Sequence, residues 1–477
     1  MTLARKVAYN VLINAVSKIL STVLALVSIG FITRYLGTDG FGEYTTALAF
    51  FALFVALADF GMNTVSAREI SKKNADESRI MGNIFALRLC ISGVIVLLSP
   101  IVIFFLPYSD TIKGAIFFSL AAFFFSSSYT IFNGIFQKNL AMDRVALTEL
   151  IGKGLQVIFV IIAVMLDWGI FPIMGAFVAF MMFNFIVLLF WSQRFLVFRP
   201  QFEIAFWKKF LKKSFPLGIA VIITFFYFKF DTILLSLLKG SEAVGIFGAA
   251  YKIIENVTFF PAMIVGLVLP LLSRRIDDDM VGFRRIADVT AKTFLIISVP
   301  MVIGGVMLAQ EIILLIGGEA FLASVVVLQI LLFALAFMFF GHFFNTLLVI
   351  GDHQKLLMKL LFFCAVANLS LNFFLIPQFS YMGAAISSLL TELLVVILTG
   401  WFVYRTIGYT ISFQKLPRII LSGGIMAISI FLLSPFVHFF ITLLVAIGIY
   451  GVSIVITQVV EKKEIKELFW KKNEKEV

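Results

Sequence analysis

Charged and amide side chains interrupt the long apolar runs of this sequence at helical spacing. An ionisable group in hydrocarbon is costly unless it is paired, hydrated or put to use. Asn10, Asn14, Ser17, Lys18 and Ser21 fall within about 100° of arc on one helix, a polar stripe suited to a wet cavity. Lys18 lies about 14 Å from the cytoplasmic end at 1.5 Å per residue, deep for its amine to snorkel. Asp59, Asn63 and Ser66 share a face of the next helix. Asp59 has Lys18 and Arg88 as alternative ion-pair partners, or a coupling ion to take up. Farther along, Thr224, Tyr227 and Asp231 share a face, while Lys229 is turned about 200° from Asp231. Lys252, Glu255 and Asn256 form another cluster, and an Asp231–Lys252 or Lys229–Glu255 pair is its structural alternative. Glu392 stands midway along a late helix, one turn after Ser388.

These types divide by chemistry. Lys18, Arg88, Lys229 and Lys252 suit an anion, and Asn10, Asn14, Asn256 and Tyr227 suit hydrogen-bonding groups. Asp59, Asp231, Glu255 and Glu392 suit charge pairing or ion coupling. Arg34 and Arg68 stand at the two mouths, where a plain topology anchor explains Arg68 equally well. Glu149, Lys153 and Gln156 start near the cytoplasmic edge and are read as snorkelling, and Arg88 and Lys292 lie at similar depth. His342, His353 and His438 read as interfacial or satisfied. No P-loop, GxGxxG, HExxH or paired-cysteine spacing occurs. No catalytic residue, metal site or cofactor is therefore expected, apart from a coupling Na+ or H+.

The elements that must position these groups are membrane helices. Of 477 residues, 61% are hydrophobic and 14% charged, against about 25% charged in soluble domains. The aromatics include 57 Phe but 11 Tyr and 5 Trp, so they are mostly the wholly apolar kind. Apolar stretches of membrane-spanning length recur from Tyr9 to Val460, which requires lipid as solvent. A soluble enzyme, a nucleic-acid reader and a disulfide scaffold are excluded. Cys90 and Cys364 both lie in apolar segments, as small core residues do.

Fourteen spans are expected, at 9–33, 45–67, 82–106, 114–136, 147–166, 172–193, 214–238, 243–272, 286–309, 321–350, 355–376, 381–404, 417–436 and 438–460. The first, with Asn14 and Lys18 inside it, reads as a retained helix rather than a removable leader. Alternate loops then hold 29 Lys and Arg on one side and 3 on the other. By the positive-inside rule both termini are cytoplasmic. The net charge of +11 is thus a topology signal and calls for no nucleic acid. The reading divides the chain into a six-helix lobe (1–200), a cytoplasmic interfacial linker (201–213, FWKKFLKK forming a short amphipathic helix), a second lobe (214–405), two extra helices (406–460) and a basic cytoplasmic tail (461–477).

An internal repeat supports the two lobes. LGTDGFGEYTTA (36–47) aligns with KGSEAVGIFGAA (239–250), superposing Gly37 on Gly240, Gly42 on Gly245, Tyr44 on Phe247 and Ala47 on Ala250. MGA at 174–176 aligns with MGA at 382–384 at nearly the same shift. Six spans are an even number, so the copies run parallel. Such repeats place a substrate site around a central cavity near mid-membrane and work by alternating access.

The segments RYLGTDGFGEYTTALAF, ADFGMNTVSAREIS and ILLIGGEAFLASVVVLQIL together resemble the polysaccharide transporter family, a branch of the multidrug/oligosaccharidyl-lipid/polysaccharide exporter superfamily. The resemblance implies a flippase of the plasma membrane for polyprenyl-(di)phosphate-linked oligosaccharide, used in cell-surface glycan assembly. It implies membrane lipid as surroundings and a glycan polymerase or glycosyltransferases as partners, and it also picks out Asp59 and Arg68. A phosphorylated sugar needs cations for charge and amides or hydroxyls for its hydroxyls, while its prenyl tail stays in lipid. Interspersed carboxylates would moderate affinity so that release remains feasible. The rivals are a cation-coupled multidrug exporter, which favours an acidic cavity, and a lipid II exporter, whose charged first-loop motif is absent. More remote is a membrane enzyme acting on lipid-linked sugars, for which the outer loops are too short.

Overall fold

The computed structural model describes residues 3–276 and 278–460, with side chains from residue 13 onward. The side chain of Asn10 and the basic tail 461–477 lie outside the described residues. Helices account for every regular element there, with no strand among the described residues. They begin with α1 (Leu3–Asp59), α2 (Met62–Ile70), α3 (Glu77–Phe105), α4 (Asp110–Thr130), α5 (Asn133–Lys138), α6 (Met142–Met165) and α7 (Ile170–Gln193). Next come α8 (Ile204–Phe228), α9 (Phe230–Lys239), α10 (Ser241–Val257), α11 (Phe259–Ser273), α12 (Met280–Met307) and α13 (Ala309–Gly317). A short 3-10 turn, Glu319–Phe321, precedes α14 (Ser324–Ile350), α15 (Gln354–Ile407), α16 (Leu416–Leu433) and α17 (Phe439–Ile456).

Twelve helical segments among the described residues are long and apolar enough to cross a membrane. Two of them hold a non-helical residue partway: Gly37 in α1 and Ser380 in α15. Each is therefore two crossings, which raises the count to the expected fourteen. Gly37 has φ 66 and ψ −172, and its repeat partner Gly240 has φ 82 and ψ −176. Positive φ is cheap only for glycine, so the repeat preserves a turn as well as a sequence. Side chains such as Phe105, 79% exposed, and Leu97, 75% exposed, make sense only against lipid. The chain is an all-α, multi-pass membrane protein.

Several expected single spans are broken inside. Phe60 and Gly61, at φ 40 and 74, separate α1 from α2 within 45–67. Ile131 and Phe132 separate α4 from α5 within 114–136, and Lys229 separates α8 from α9 within 214–238. Thr258 separates α10 from α11 within 243–272. Pro261 explains the last break, since it has no N–H for the carbonyl of Val257.

The chain forms two compact units. One holds the residues up to Ala249 together with Leu315–Phe321 and Ala365–Ala384. The other holds Ala250–Leu314, Leu322–Cys364 and the residues from Ala385 onward. Phe85, Phe132 and Phe198 meet in the core of the first, with ring centroids 5.7 to 6.0 Å apart. In the second, α16 and α17 pack with α12 through Leu295, Ile419, Met426, Ile430, Ala446 and Ile454. There the Tyr450 hydroxyl donates to the Ile296 carbonyl at 2.9 Å.

The segment between α7 and α8 differs from the expected interfacial helix. Residues 196–203 are extended and lie on the start of α3, and the FWKKFLKK stretch forms the first turns of α8 without a boundary before the span. Phe206, Trp207, Phe210 and Leu211 pack into the core of the first unit, while Lys208, Lys209, Lys212 and Lys213 remain exposed. The segment is fastened by backbone bonds. Gln201 N–H donates to the Gly82 carbonyl at 3.1 Å, and Glu203 N–H donates to Asn83 Oδ1 at 2.9 Å. Any side chain at Gly82 would strike the Arg199 carbonyl oxygen. Hydrogen bonds from the Arg79 guanidinium and the Asn83 amide hold the Glu203 carboxyl below its ordinary range.

The kinks at Gly37 and Ser380 yield a topology test. Single cysteines at Lys73 and Lys209 should label from one side of the membrane, and single cysteines at Asp39 and Asp110 from the other. Labelling of positions 39 and 73 from the same side would show that α1 is not two crossings.

Candidate functional site

Two of the helix breaks of the first unit, α1/α2 and α4/α5, converge on one side chain. In hydrocarbon, a carbonyl released from its helical ladder has no water to accept from and needs a protein donor. Arg88 of α3, 1% exposed, supplies several. Its Nη1 donates to the Ala58 carbonyl at the end of α1. Its Nε donates to the Ser127 carbonyl near the end of α4 at 3.2 Å. Its Nη2 pairs with Asp59 Oδ1 at 3.0 Å and lies 3.4 Å from both Asn63 Oδ1 and Thr130 Oγ1. Asp59 Oδ1 also accepts from the Asn63 N–H at 3.3 Å, in the first turn of α2. A cation at two helix C-termini is favoured by both macrodipoles. The planar five-donor fork of arginine fits this set as a lysine would not.

This settles the choice left open for Asp59, whose partner is Arg88. It also corrects the expectation that Arg88 holds phosphate, because burial and protein acceptors commit its guanidinium to the fold. Asp59 and Asn63 still face one partner although a break separates them. Ser127 and Thr130 are site residues beyond those expected, and the polar run Ser126–Thr130 inside an apolar span is their sequence signal. Ser92 and Ser127 share a further hydrogen bond there, at 2.8 Å.

The other candidates of this unit are spread more widely. Lys18 is exposed on α1, and Glu149 of α6 lies within electrostatic range of Lys18 and Lys153. Asn14 is half-buried on the same helix. Lys153 donates to Gln156 at 3.0 Å and sits 5.2 Å from the Phe180 ring centre. Lys229 is the junction residue of α8 and α9, at φ −132 and ψ −16, so its angle to Asp231 is not that of a continuous helix. The Tyr227 ring meets Phe228 edge-on at 4.5 Å. Asp231 is 2% exposed in the first turn of α9 and accepts from the Thr232 N–H at 2.7 Å. Arg34 and Thr33 act together, donating to the Leu315 and Ile316 carbonyls at 2.9 and 2.7 Å and so capping the end of α13. Arg68 is exposed in the last turn of α2.

In the second unit, Lys252 pairs with Glu255 at 2.9 Å, one turn along α10. Their side chains are 17% and 35% exposed, so the pair keeps a face open. Asn256 donates to the Lys252 carbonyl at 2.8 Å. Glu392 is 5% exposed on α15 and lies beside Gly341, whose missing side chain leaves it room. No His, Cys, Asp and Glu cluster able to hold a metal occurs among the described residues.

Broken membrane helices, repeat-related turns and charged groups at those breaks are the construction of a secondary transporter. Residues 7–275 match the family described as "Polysaccharide biosynthesis protein", and the chain belongs to that family. Residues 216–374 also match the MatE family. Over 414 residues the chain is 25% identical to the "Putative O-antigen transporter" of Shigella flexneri, covering 80% of this chain and 94% of that protein. Among solved structures, the lipid II flippase MurJ in an inward closed conformation aligns with a TM-score of 0.78 at 16% identity, over 93% of this chain and 98% of that one. An inward-facing multidrug resistance MATE family transporter of the MOP superfamily aligns with a TM-score of 0.64 at 14% identity, over 83% and 98% of the two chains. At these identities the structures establish the fold, with its two lobes of six helices. The chain is a transporter of the MOP superfamily, and these named relatives are transporters and a flippase rather than enzymes.

If Arg88 bridges the two breaks, Arg88→Met should destabilise the purified protein by about 3–5 kcal/mol, the cost of stranding a buried partner. Arg88→Lys should recover only a minor part, whereas pairing Arg88→Met with Asp59→Leu should recover more. Thermal unfolding in detergent reads this directly. Native stability of Arg88→Met would refute the bridging role.

Proposed function

We propose that this transporter moves polyprenyl-phosphate- or diphosphate-linked oligosaccharide from the cytoplasmic to the outer leaflet of the plasma membrane by alternating access. Both termini are then cytoplasmic, as the 29-to-3 distribution of loop cations supports. The observation that carries the reading is the similarity, over 80% of this chain, to the Shigella flexneri "Putative O-antigen transporter", with accessible cations on the helices that bear the polar stripes. Lys18, Lys229 and Lys252 serve the phosphate, and Asn14, Asn256 and Tyr227 serve sugar hydroxyls. Glu255 tempers Lys252 so that the headgroup is held without being trapped. The buried carboxylates Asp231 and Glu392 are the candidates for coupling to Na+ or H+. Glycosyltransferases supply the substrate and a glycan polymerase or ligase consumes it.

The MatE match over 216–374 is what favours the second reading, a cation-coupled multidrug exporter. Its substrates are cationic, and the accessible lysines repel them.

Binding separates the two. Purified protein should bind a short-chain prenyl diphosphate disaccharide, with a rise in melting temperature, and should show no such rise with cationic dyes. Lys18→Ala and Lys252→Ala should each weaken that binding about tenfold, a loss of about 1.4 kcal/mol. Melting temperatures without ligand should stay near native, because the Lys252–Glu255 pair is partly exposed and contributes little to stability. Dye binding without sugar-lipid binding would support the multidrug reading. Unchanged sugar-lipid affinity in both alanine variants would remove the lysines from the site.

A further inference from the structure

The repeat-related glycines meet each other. A side chain on Gly42, in the second half of α1, would overlap the Ser241 carbonyl oxygen at the start of α10. Reciprocally, a side chain on Gly245 of α10 would overlap the Thr38 carbonyl oxygen just after the Gly37 turn. Those same side chains would begin 3.0 Å from the Gly245 nitrogen and 3.2 Å from the Gly42 nitrogen. One turn deeper, Gly248 faces Thr45, whose Oγ1 would lie 3.2 Å from an added Cβ. Two helix starts with the same turn, Gly37 and Gly240, thus press backbone to backbone with approximate two-fold symmetry. On the charge-based topology, both turns lie on the outer side of the membrane. Beside them the Tyr108 hydroxyl bonds to the Ser236 hydroxyl at 2.6 Å.

Behind this junction lie two buried hydroxyls. Thr45 is 6% exposed and Thr46 is 0% exposed, and neither Oγ1 has a hydrogen-bond partner among the described residues. A buried unsatisfied hydroxyl disfavours the state that buries it. If the helices part, water or a sugar can satisfy both groups, and the glycine contact has no interlocked side chains to disengage. We infer that the Gly42–Gly245 junction is the outer release gate for the glycan headgroup, with Thr45 and Thr46 as the first hydroxyls the departing sugar meets. The inference rests on the proposed function for its cargo, while the gate itself is tested without cargo.

Cysteine at Ala47, a fully buried position beside the threonines, serves as reporter in a chain with Cys90→Ser and Cys364→Ser. A membrane-impermeant maleimide is added to the outer face of intact cells. Gly42→Ala or Gly245→Ala should speed labelling about tenfold, since a methyl no longer fits the shut junction and the population shifts toward the open one. Thr45→Val with Thr46→Val, nearly isosteric, should slow labelling about fivefold by removing the unsatisfied hydroxyls from the shut state. The valine variant keeps the gate testable if the alanine variants fail to fold. Unchanged labelling in the valine variant, faster labelling in it, or acceleration by the alanines only from the cytoplasmic face would each overturn the gate. Shifted labelling in a protein that binds no sugar-lipid would keep the gate and reject the cargo.

Discussion

A buried guanidinium holds together what the membrane would otherwise forbid. Lipid supplies no donors, so a helix can break at mid-depth only where protein groups satisfy the released carbonyls. Arg88 does this for the ends of α1 and α4 at once, through the carbonyls of Ala58 and Ser127 and the carboxylate of Asp59. Without it, the breaks at Phe60–Gly61 and Ile131–Phe132 would expose polar backbone to hydrocarbon. With it, α2 and α5 are free to leave the axes of the helices that precede them. The arginine is thus a condition for a bundle made of broken helices, and broken helices are what let a transporter change shape.

The remaining charges are deployed differently. Arg34 and Thr33 cap α13, and Asp231 accepts at the start of α9, each acting on a helix end. Lys252 and Glu255 instead form a pair along a single helix with part of their surface open. Burial separates Arg88, sealed among protein acceptors, from the Lys252–Glu255 pair, whose open face a ligand can reach. Glycine plays the corresponding role for the backbone, since the turns at Gly37 and Gly240 and the contact at Gly42 and Gly245 need residues without a side chain.

Much of this was legible in the sequence because it follows from rules that act over long stretches. Apolar run length and loop charge give fourteen crossings, and the alignment of 36–47 with 239–250 finds two turns with matching dihedrals. Most breaks were not legible, because a one-residue departure such as Lys229 barely disturbs an apolar window; Gly61 and Pro261 are the residues that mark theirs chemically. The Arg88–Asp59 pair was one of several charge matches open to Asp59, and depth alone did not choose among them. Two further partners of Arg88 are main-chain carbonyls, which every residue carries and no sequence pattern advertises. The Lys252–Glu255 pair was visible as spacing, since residues three apart are neighbours on a helix, but partners for both were sought on other helices. The linker was misread because an amphipathic stretch looks the same whether it ends at the interface or runs on into a span.

Transport of a lipid-linked glycan is tested most directly in vesicles holding purified protein and a fluorescent prenyl diphosphate oligosaccharide, with an impermeant reagent quenching the outward-facing headgroups. The account predicts that native protein lets the protected inner-leaflet pool become accessible much faster than in protein-free vesicles, and that the variant lacking both Lys18 and Lys252 amines does not. Equal rates with native protein and with no protein, under an imposed Na+ or H+ gradient of either direction, would contradict it.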